Sequence, residues 1–598
     1  MGFVVKVSLT KRYKQKVLEQ QTYTSSVIRS VRGSIFDRNY YTLAECTIEY
    51  NLILDPKFVD DSKKNDPMAL EVTKLVLNKY FGIEEQKIDD ALALGQNSQY
   101  RIMKQHVSES ERRAFEQYCK ELVDLNTGKS LSKSVVGIWF EESYKRVYPN
   151  GTTGSHIIGH CNSSLEGSYG LEAYYDDLLK GIDGRRYGYY DFDGMIYETS
   201  SKKQDGRSLI STMDLGIQYI VQTHSEKFLR EKGADNLGVI LLDPNSGEIY
   251  AMQSNYGYNP NDYGNLDYAY PKDLLLDLTD EQFLDLKFKM WRNFCVCDAY
   301  EPGSTFKPFT VAAALEEGLV DRTTRFLCDG SEVFPEYEIH CHNRNGHGDI
   351  SLLDTISLSC NDGLMQIAAL LGKNAFSSYQ NHFLFGEKTG IDSFSEAKGS
   401  LISLGNLRAT ELASSSFGQS FTVSMIQLAS AYASLVNGGY YYEPHLVKEI
   451  RSADGLVIQS FEPKILQRTV SEETANVIKE ALRLTVVDGT ARKADIDGYK
   501  IAGKTGTAEK LTTPEDDYLV SFIGSVPADD PKLIIYVVLD NIHVPELNGS
   551  AGTATELAVD ILKDVLPAMG IKPDYDYLGK KNQETEDEII TFPVFSSR

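Results

Sequence analysis

Gly498-Tyr-Lys-Ile-Ala-Gly-Lys-Thr505, continued by Gly506 and Thr507, is the stretch on which the reading of the fold turns. Letter by letter, "GYKIAGKT" satisfies the phosphate-loop pattern G-x-x-x-x-G-K-[ST]. The apolar run "LIIYVVLD", ending on Asp540, imitates the magnesium-holding strand of a nucleotide hydrolase. The surroundings decide against both. A phosphate loop joins a buried strand to a helix whose N-terminus faces the phosphates. Here Thr505 is followed by "GTAEKLTTPEDDYLVSF", which carries Gly506 and Pro514 and no 3.6-residue apolar repeat. Upstream, Tyr499, Ile501, Gly503, Thr505 and Thr507 alternate along one side, as in a strand. Lys504 therefore belongs to the middle of a strand, and the strands after it read antiparallel where a phosphate-loop fold needs parallel βαβ order.

The rest of the chain sets the frame for that strand. At 598 residues it is long enough for two to four domains. Hydrophobic residues make up 42% and charged residues 24%, an ordinary globular balance. A net charge of −24 argues against a nucleic-acid partner, which calls for a basic stripe. No run of about 20 apolar residues is present, so nothing in the given sequence reads as a membrane span. The start, "MGFVVKVSLTKRYKQK", is too short for a signal-peptide core; it reads as a plain start or as the stump of an anchor.

The first ~200 residues mix strand-like runs ("YNLILDP", "SVVGIWFEES") with polar helical stretches at 66–80 and 108–123. From about 206 the texture changes. "GRSLISTMDLGIQYIVQTHSEKFL" reads as a strand and an amphipathic helix, and "NLGVILLDPNSGEIYAMQS" as a hairpin turning at Asn245-Ser246-Gly247. Helices are expected at 304–318, 351–372 and 423–437, and closing strands at 499–508, 518–526 and 533–540. This is an α+β order. The expected domains are 1–205, 206–570, and a polar tail at 571–598.

Chemistry is written most clearly in "YEPGSTFKPFTVAAALEEG". Pro308 is tolerated only in a helix's first turn, so the helix starts near Ser304 and puts Ser304 and Lys307 on one face. The positive end of the helix dipole disfavours a charged lysine there, leaving a neutral amine able to take the serine proton. "SLSCNDG" adds Ser359-Cys360-Asn361, an S-x-N triplet heading a helix, and "KTGT" adds Lys504 to Thr507. S-x-x-K, S-x-N and K-T-G in this order resemble the signatures of penicillin-binding proteins and serine β-lactamases.

The resemblance extends further, to the class B (monofunctional) penicillin-binding proteins, over about residues 30–565. "VRGSIFDRN" (31–39), "RVYPNG" (146–151) and "GSYGLEAYYDDLLKG" (167–181) resemble that family's N-terminal pedestal, a dimerisation-like domain. "LLDPNSGEIYAM", "WRN", "GHGDISLLDTISLSCN" and "SFIGSVPADDPK" resemble its transpeptidase domain, an antiparallel sheet with helices. A second "KTG", at Lys388 to Gly390, lacks strand alternation and resembles a structural turn of the family.

What the resemblance implies is a D,D-transpeptidase that cross-links peptidoglycan stem peptides through an acyl-enzyme. Ser304 would be the nucleophile, Lys307 its base, Ser359 the proton relay and Lys504 its polariser. Asn361 would bind the substrate amide, and Thr505 and Thr507 the terminal carboxylate. The N–H groups of Ser304 and Thr507 would form the oxyanion hole, and Gly506 would leave a bare strand edge for the peptide. β-Lactams would stall at the acyl stage. The family works outside the cytoplasmic membrane, anchored by an N-terminal helix, beside a membrane glycan polymerase in elongation, division or spore-cortex synthesis. The given chain lacks that helix, so a truncated form is expected. The rival classes are a P-loop NTPase and a non-catalytic cell-wall scaffold.

Eight cysteines are too few for a disulfide-built scaffold of this size. Cys295, Cys297, Cys328 and Cys341 cluster, with His340 and His342 flanking the last, whereas Cys360 stands apart. Thiolate and imidazole are what zinc prefers, and a structural zinc held by four of Cys295, Cys297, Cys328, Cys341 and His342 is one expectation. A Cys328–Cys341 disulfide and buried unpaired thiols are the alternatives. The serine chemistry requires no cofactor.

Overall fold

The computed structural model of the chain describes residues 23–190, 196–335, 337–510 and 517–574. The basic start and almost all of the expected polar tail lie outside these residues. Five strands form the sheet that positions the site: β1 (Ala234–Leu242), β2 (Ile249–Ser254), β3 (Ala502–Glu509), β4 (Tyr518–Val526) and β5 (Leu533–Ile542). Their order is β2-β1-β5-β4-β3, antiparallel throughout, with β3 and its KTGT residues at the edge.

The continuous apolar run of β5 follows from burial on both faces, because side chains alternate and each face is covered. Leu533, Ile535, Val537 and Leu539 meet α1 (Leu215–Glu231) and the C-terminal helix Ala551–Ala568. Ile534, Tyr536 and Val538 meet a core containing α2 (Lys307–Glu316), α3 (Asn361–His382) and α4 (Met425–Val436). Helix α1 starts at Asp214, whose carboxylate accepts from the Gly216 and Ile217 N–H groups. Every residue of α4 is buried, and α2 is buried from Lys307 to Ala314, so these two helices lie inside the domain, with their few polar side chains, Lys307 among them, buried too. Helix α3 runs past Gly372, the expected end, where a φ of 70° kinks it.

The N-terminal half contributes strands Ile35–Phe36, Thr42–Leu54, Arg101–Val107 and Ile138–Val147 to a seven-stranded mixed sheet. Ile35–Phe36 runs parallel to Ser208–Ser211, which pairs in turn with Val447–Arg451. The three N-terminal motifs quoted above converge here: Arg32 and Arg146 grip Glu172 through Nε–Oε bonds of 2.7 and 2.6 Å. Among the described residues no helix is long and apolar enough to cross a membrane.

Candidate active site

Ser304 sits in the 3₁₀ turn Gly303–Phe306 that leads into α2, with Pro308 in the helix's first turn. Gly303 has a φ of 56°, and a Cβ there would come within 2.6 Å of the Thr507 carbonyl oxygen. Only glycine lets the serine turn lie this close to β3. Between the helix Leu352–Ser357 and α3, Ser359 takes a φ of 55°, a left-handed conformation that a serine holds only where its surroundings impose it.

These segments bring the motif side chains into one hydrogen-bonded chain. Lys307 Nζ lies within hydrogen-bond reach of Ser359 Oγ at 3.0 Å, the Ser359 carbonyl oxygen at 2.5 Å and Asn361 Oδ1 at 2.7 Å. Lys504 Nζ reaches the same Ser359 Oγ at 3.0 Å, and Ser359 Oγ donates to Ser304 Oγ at 3.1 Å. The path from Lys307 to the serine thus runs through Ser359. Burial pushes the Lys307 amine down to about 7, with the nearby Cys360 and Cys341 opposing. Burial and then the neighbouring Lys307 hold Lys504 well below its ordinary value. Burial, rather than the helix end, is what favours the neutral amine at Lys307.

Along β3, Thr505 is nearly buried and Thr507 exposed, both beside the Ser304 turn. Gly506 has a reason different from the expected bare edge: a Cβ would strike Ser521 Oγ at 2.4 Å and Thr305 Cγ2 at 2.9 Å, both on the protein side. The Asn361 amide donates to the His340 carbonyl at 3.2 Å while its oxygen accepts from Lys307. The second KTG forms a turn, its Thr389 N–H and hydroxyl donating to Glu396 at 2.6 and 2.7 Å.

The cysteine reading needs correction. Cys295 and Cys297 lie in a short helix, Phe294–Cys297, not an extended segment, and point elsewhere: Cys295 Sγ to the Gln253 carbonyl, Cys297 Sγ to that of Phe394. The cluster that forms is Cys328, Cys341, His347 and Cys360, whose ligand atoms all lie within 4.8 Å of one another. His342 Nδ1 lies 3.9 Å from Cys341 Sγ but is outside this set of four. His347 Nδ1 lies 3.4 Å from Cys328 Sγ and 3.6 Å from Cys341 Sγ, and Cys341 Sγ lies 3.9 Å from Cys360 Sγ. A tetrahedral zinc with bonds of about 2.0–2.3 Å needs edges of roughly this size. Cys328 and Cys341 are both free thiols, so the alternative disulfide between them is not formed. Cys360 is the middle residue of the S-x-N triplet, so one chain position separates a cluster ligand from Ser359 and from Asn361 on either side.

A serine turn, a strained S-x-N turn and an edge strand that share one buried hydroxyl–amine chain define a serine acyltransferase site. Comparison with known proteins gives the same class. Residues 237–563 match the family model "Penicillin binding protein transpeptidase domain" and residues 27–210 the "Penicillin-binding Protein dimerisation domain". The chain belongs to the class B penicillin-binding proteins, serine transpeptidases carried on such an N-terminal domain. It is 31% identical to Stage V sporulation protein D of Bacillus subtilis over 571 residues, covering 94% of this chain and 82% of that one. To the peptidoglycan D,D-transpeptidase FtsI of Escherichia coli K12 it is 28% identical over 456 residues, 75% and 71% of the two chains. In fold it resembles a peptidoglycan synthetase of Bifidobacterium adolescentis (TM-score 0.73, 20% identity, 92% and 98% covered). Penicillin Binding Protein 2X of Streptococcus thermophilus is similar too (TM-score 0.72, 22% identity, 93% and 82% covered).

Proposed function

We propose that this protein cross-links peptidoglycan stem peptides as a D,D-transpeptidase through an acyl-enzyme on Ser304. The observation that carries the reading is the chain from Lys307 and Lys504 through Ser359 to Ser304. Ser304 Oγ attacks the carbonyl carbon of the penultimate D-Ala while its proton passes toward the neutral Lys307. The C–N bond to the terminal D-Ala then breaks, and Ser359 hands a proton to the leaving amine. Asn361 holds the substrate amide. Thr505 and Thr507 hold the terminal carboxylate, whose charge favours the protonated form of Lys504. The N–H groups of Ser304 and Thr507 stabilise the oxyanion, a contribution of about 3–4 kcal/mol per donor. An amine from a second stem peptide resolves the ester, and β-lactams acylate the same serine.

Stem peptides are carried on glycan strands, so the reading implies action outside the cytoplasmic membrane beside a glycan polymerase. We further propose that Cys328, Cys341, His347 and Cys360 hold a structural zinc, supported by their four ligand atoms lying within 4.8 Å of one another. The serine chemistry does not use it. Metal analysis of the purified chain is expected to give one equivalent of zinc, lost in Cys328→Ser; less than about a tenth of an equivalent overturns it.

Intact-mass measurement after benzylpenicillin treatment tests the main reading. One penicillin adduct is expected, absent in Ser304→Ala. Nucleotide binding lost on Lys504→Ala, with no adduct, would favour an NTPase, and neither result would favour a non-catalytic scaffold.

A further inference from the structure

Thr490 lies outside the three motifs, yet it joins two of them. It follows the helix Glu472–Val487, and its backbone N–H donates to the Ser357 carbonyl at 3.1 Å, two residues before Ser359. Its hydroxyl lies 3.0 Å from that of Thr505 on β3. Thr505 is only 6% exposed, so its hydroxyl has few partners to choose from.

The chemistry of the ligand fixes the direction of that contact. A carboxylate only accepts, and a threonine hydroxyl has one proton to donate. With a carboxylate bound, Thr505 donates to it, and the Thr490–Thr505 contact is left with Thr490 as donor. A hydroxyl that accepts one hydrogen bond donates the next more strongly. We propose that Thr490 is a positioning residue for donor recognition: its hydroxyl donates to Thr505 Oγ1 and aims the Thr505 proton at the terminal carboxylate of the stem peptide or β-lactam. Its own backbone, tied to Ser357, keeps this relay in register with the S-x-N turn. The inference rests on the reading of Thr505 as a carboxylate-binding residue.

The test compares acylation of the whole chain by benzylpenicillin and by its carboxylate methyl ester. Thr490→Val is expected to slow acylation by the acid about threefold to tenfold, the size of one neutral hydrogen bond, and to leave the ester within about twofold. Thr490→Ser should restore the rate for the acid. Thr490→Ala, read the same way, separates loss of the hydroxyl from any misfit of the valine. Equal slowing of acid and ester, or no slowing of either, overturns the proposal. Thr505→Val separates it from the reading beneath it. If Thr505→Val keeps the preference for the acid, carboxylate binding by Thr505 fails and the proposal with it. If Thr505→Val loses the preference while Thr490→Val keeps it, only the role of Thr490 fails.

Discussion

Arg32, Arg146 and Glu172 in the N-terminal half are buried, as are Lys307 and Lys504 near Ser304, yet the neighbours of the first group favour its ionised forms while burial of the second favours neutral amines. Burial alone would push the Glu172 carboxyl up, but Arg146 and Arg32 outweigh it and hold it below its ordinary value. The two lysines have no carboxylate among their hydrogen-bond partners; they share a serine hydroxyl, and burial drives both amines down. Low dielectric surroundings are common to both sites, and the sign of the neighbour decides the outcome. Where the chain needs a fixed joint between three N-terminal motifs, it pairs opposite charges. Around Ser359 it places two amines together, and burial favours their neutral forms.

The comparison can be broken first at Lys307. Lys307→Met is expected to cut penicillin acylation about a thousandfold, within the range of general-base effects, while the urea midpoint stays or rises because no charge loses a partner. Glu172→Gln should do the reverse. It leaves the Arg146 guanidinium without its carboxylate and Arg32 with Asp176 alone, and costs about 3–5 kcal/mol of stability, with the acylation rate of the folded fraction unchanged. If both variants lose stability alike, the contrast is wrong.

The pH dependence sharpens it further. Acylation should fall about tenfold per pH unit below about 7 as Lys307 takes up its proton, and level off above. Stability follows the same group in a different window. Between about 7 and the ordinary lysine value of 10.5 the unfolded chain binds the extra proton, so stability rises with pH there. Lys307→Met should flatten that rise in denaturant titrations. Glu172 contributes with the same sign in a lower window: its stabilisation is complete above the ordinary carboxyl value of 4.5 and is lost as pH falls through its depressed value. The smallest effect is expected at the second KTG: Lys388 is exposed, and Lys388→Ala should leave acylation and stability within about 0.5 kcal/mol.

Much of this was legible in one dimension because it is local. The strand expected at 518–526 is Tyr518–Val526, and the strand expected at 533–540 extends to Ile542, since alternation and apolar runs report burial directly. Pro308 announced the start of α2, and the three catalytic motifs carried their own residue types. The cysteine–histidine cluster was half legible. Cys328 and Cys341 were visible as a pair, but Cys295 and Cys297 misled by proximity in the sequence. His347 and Cys360 were missed because the loop that gathers them has no fixed ligand spacing, and Cys360 was hidden inside the S-x-N triplet. Thr490 carried no motif signal at all.

The sequence by itself determined which side chains could do chemistry, and that Lys504 belonged to a strand and not to a phosphate loop. Residue type, spacing and periodicity are local properties, and they suffice for those conclusions. Only the tertiary structure decided that two lysines meet at one serine hydroxyl, that Gly506 is crowded from the protein side, that Arg32 and Arg146 share Glu172, and that Thr490 touches Thr505. Each depends on the packing of segments far apart in the chain. There, burial and the nearest neighbour fix charge state and hydrogen-bond direction.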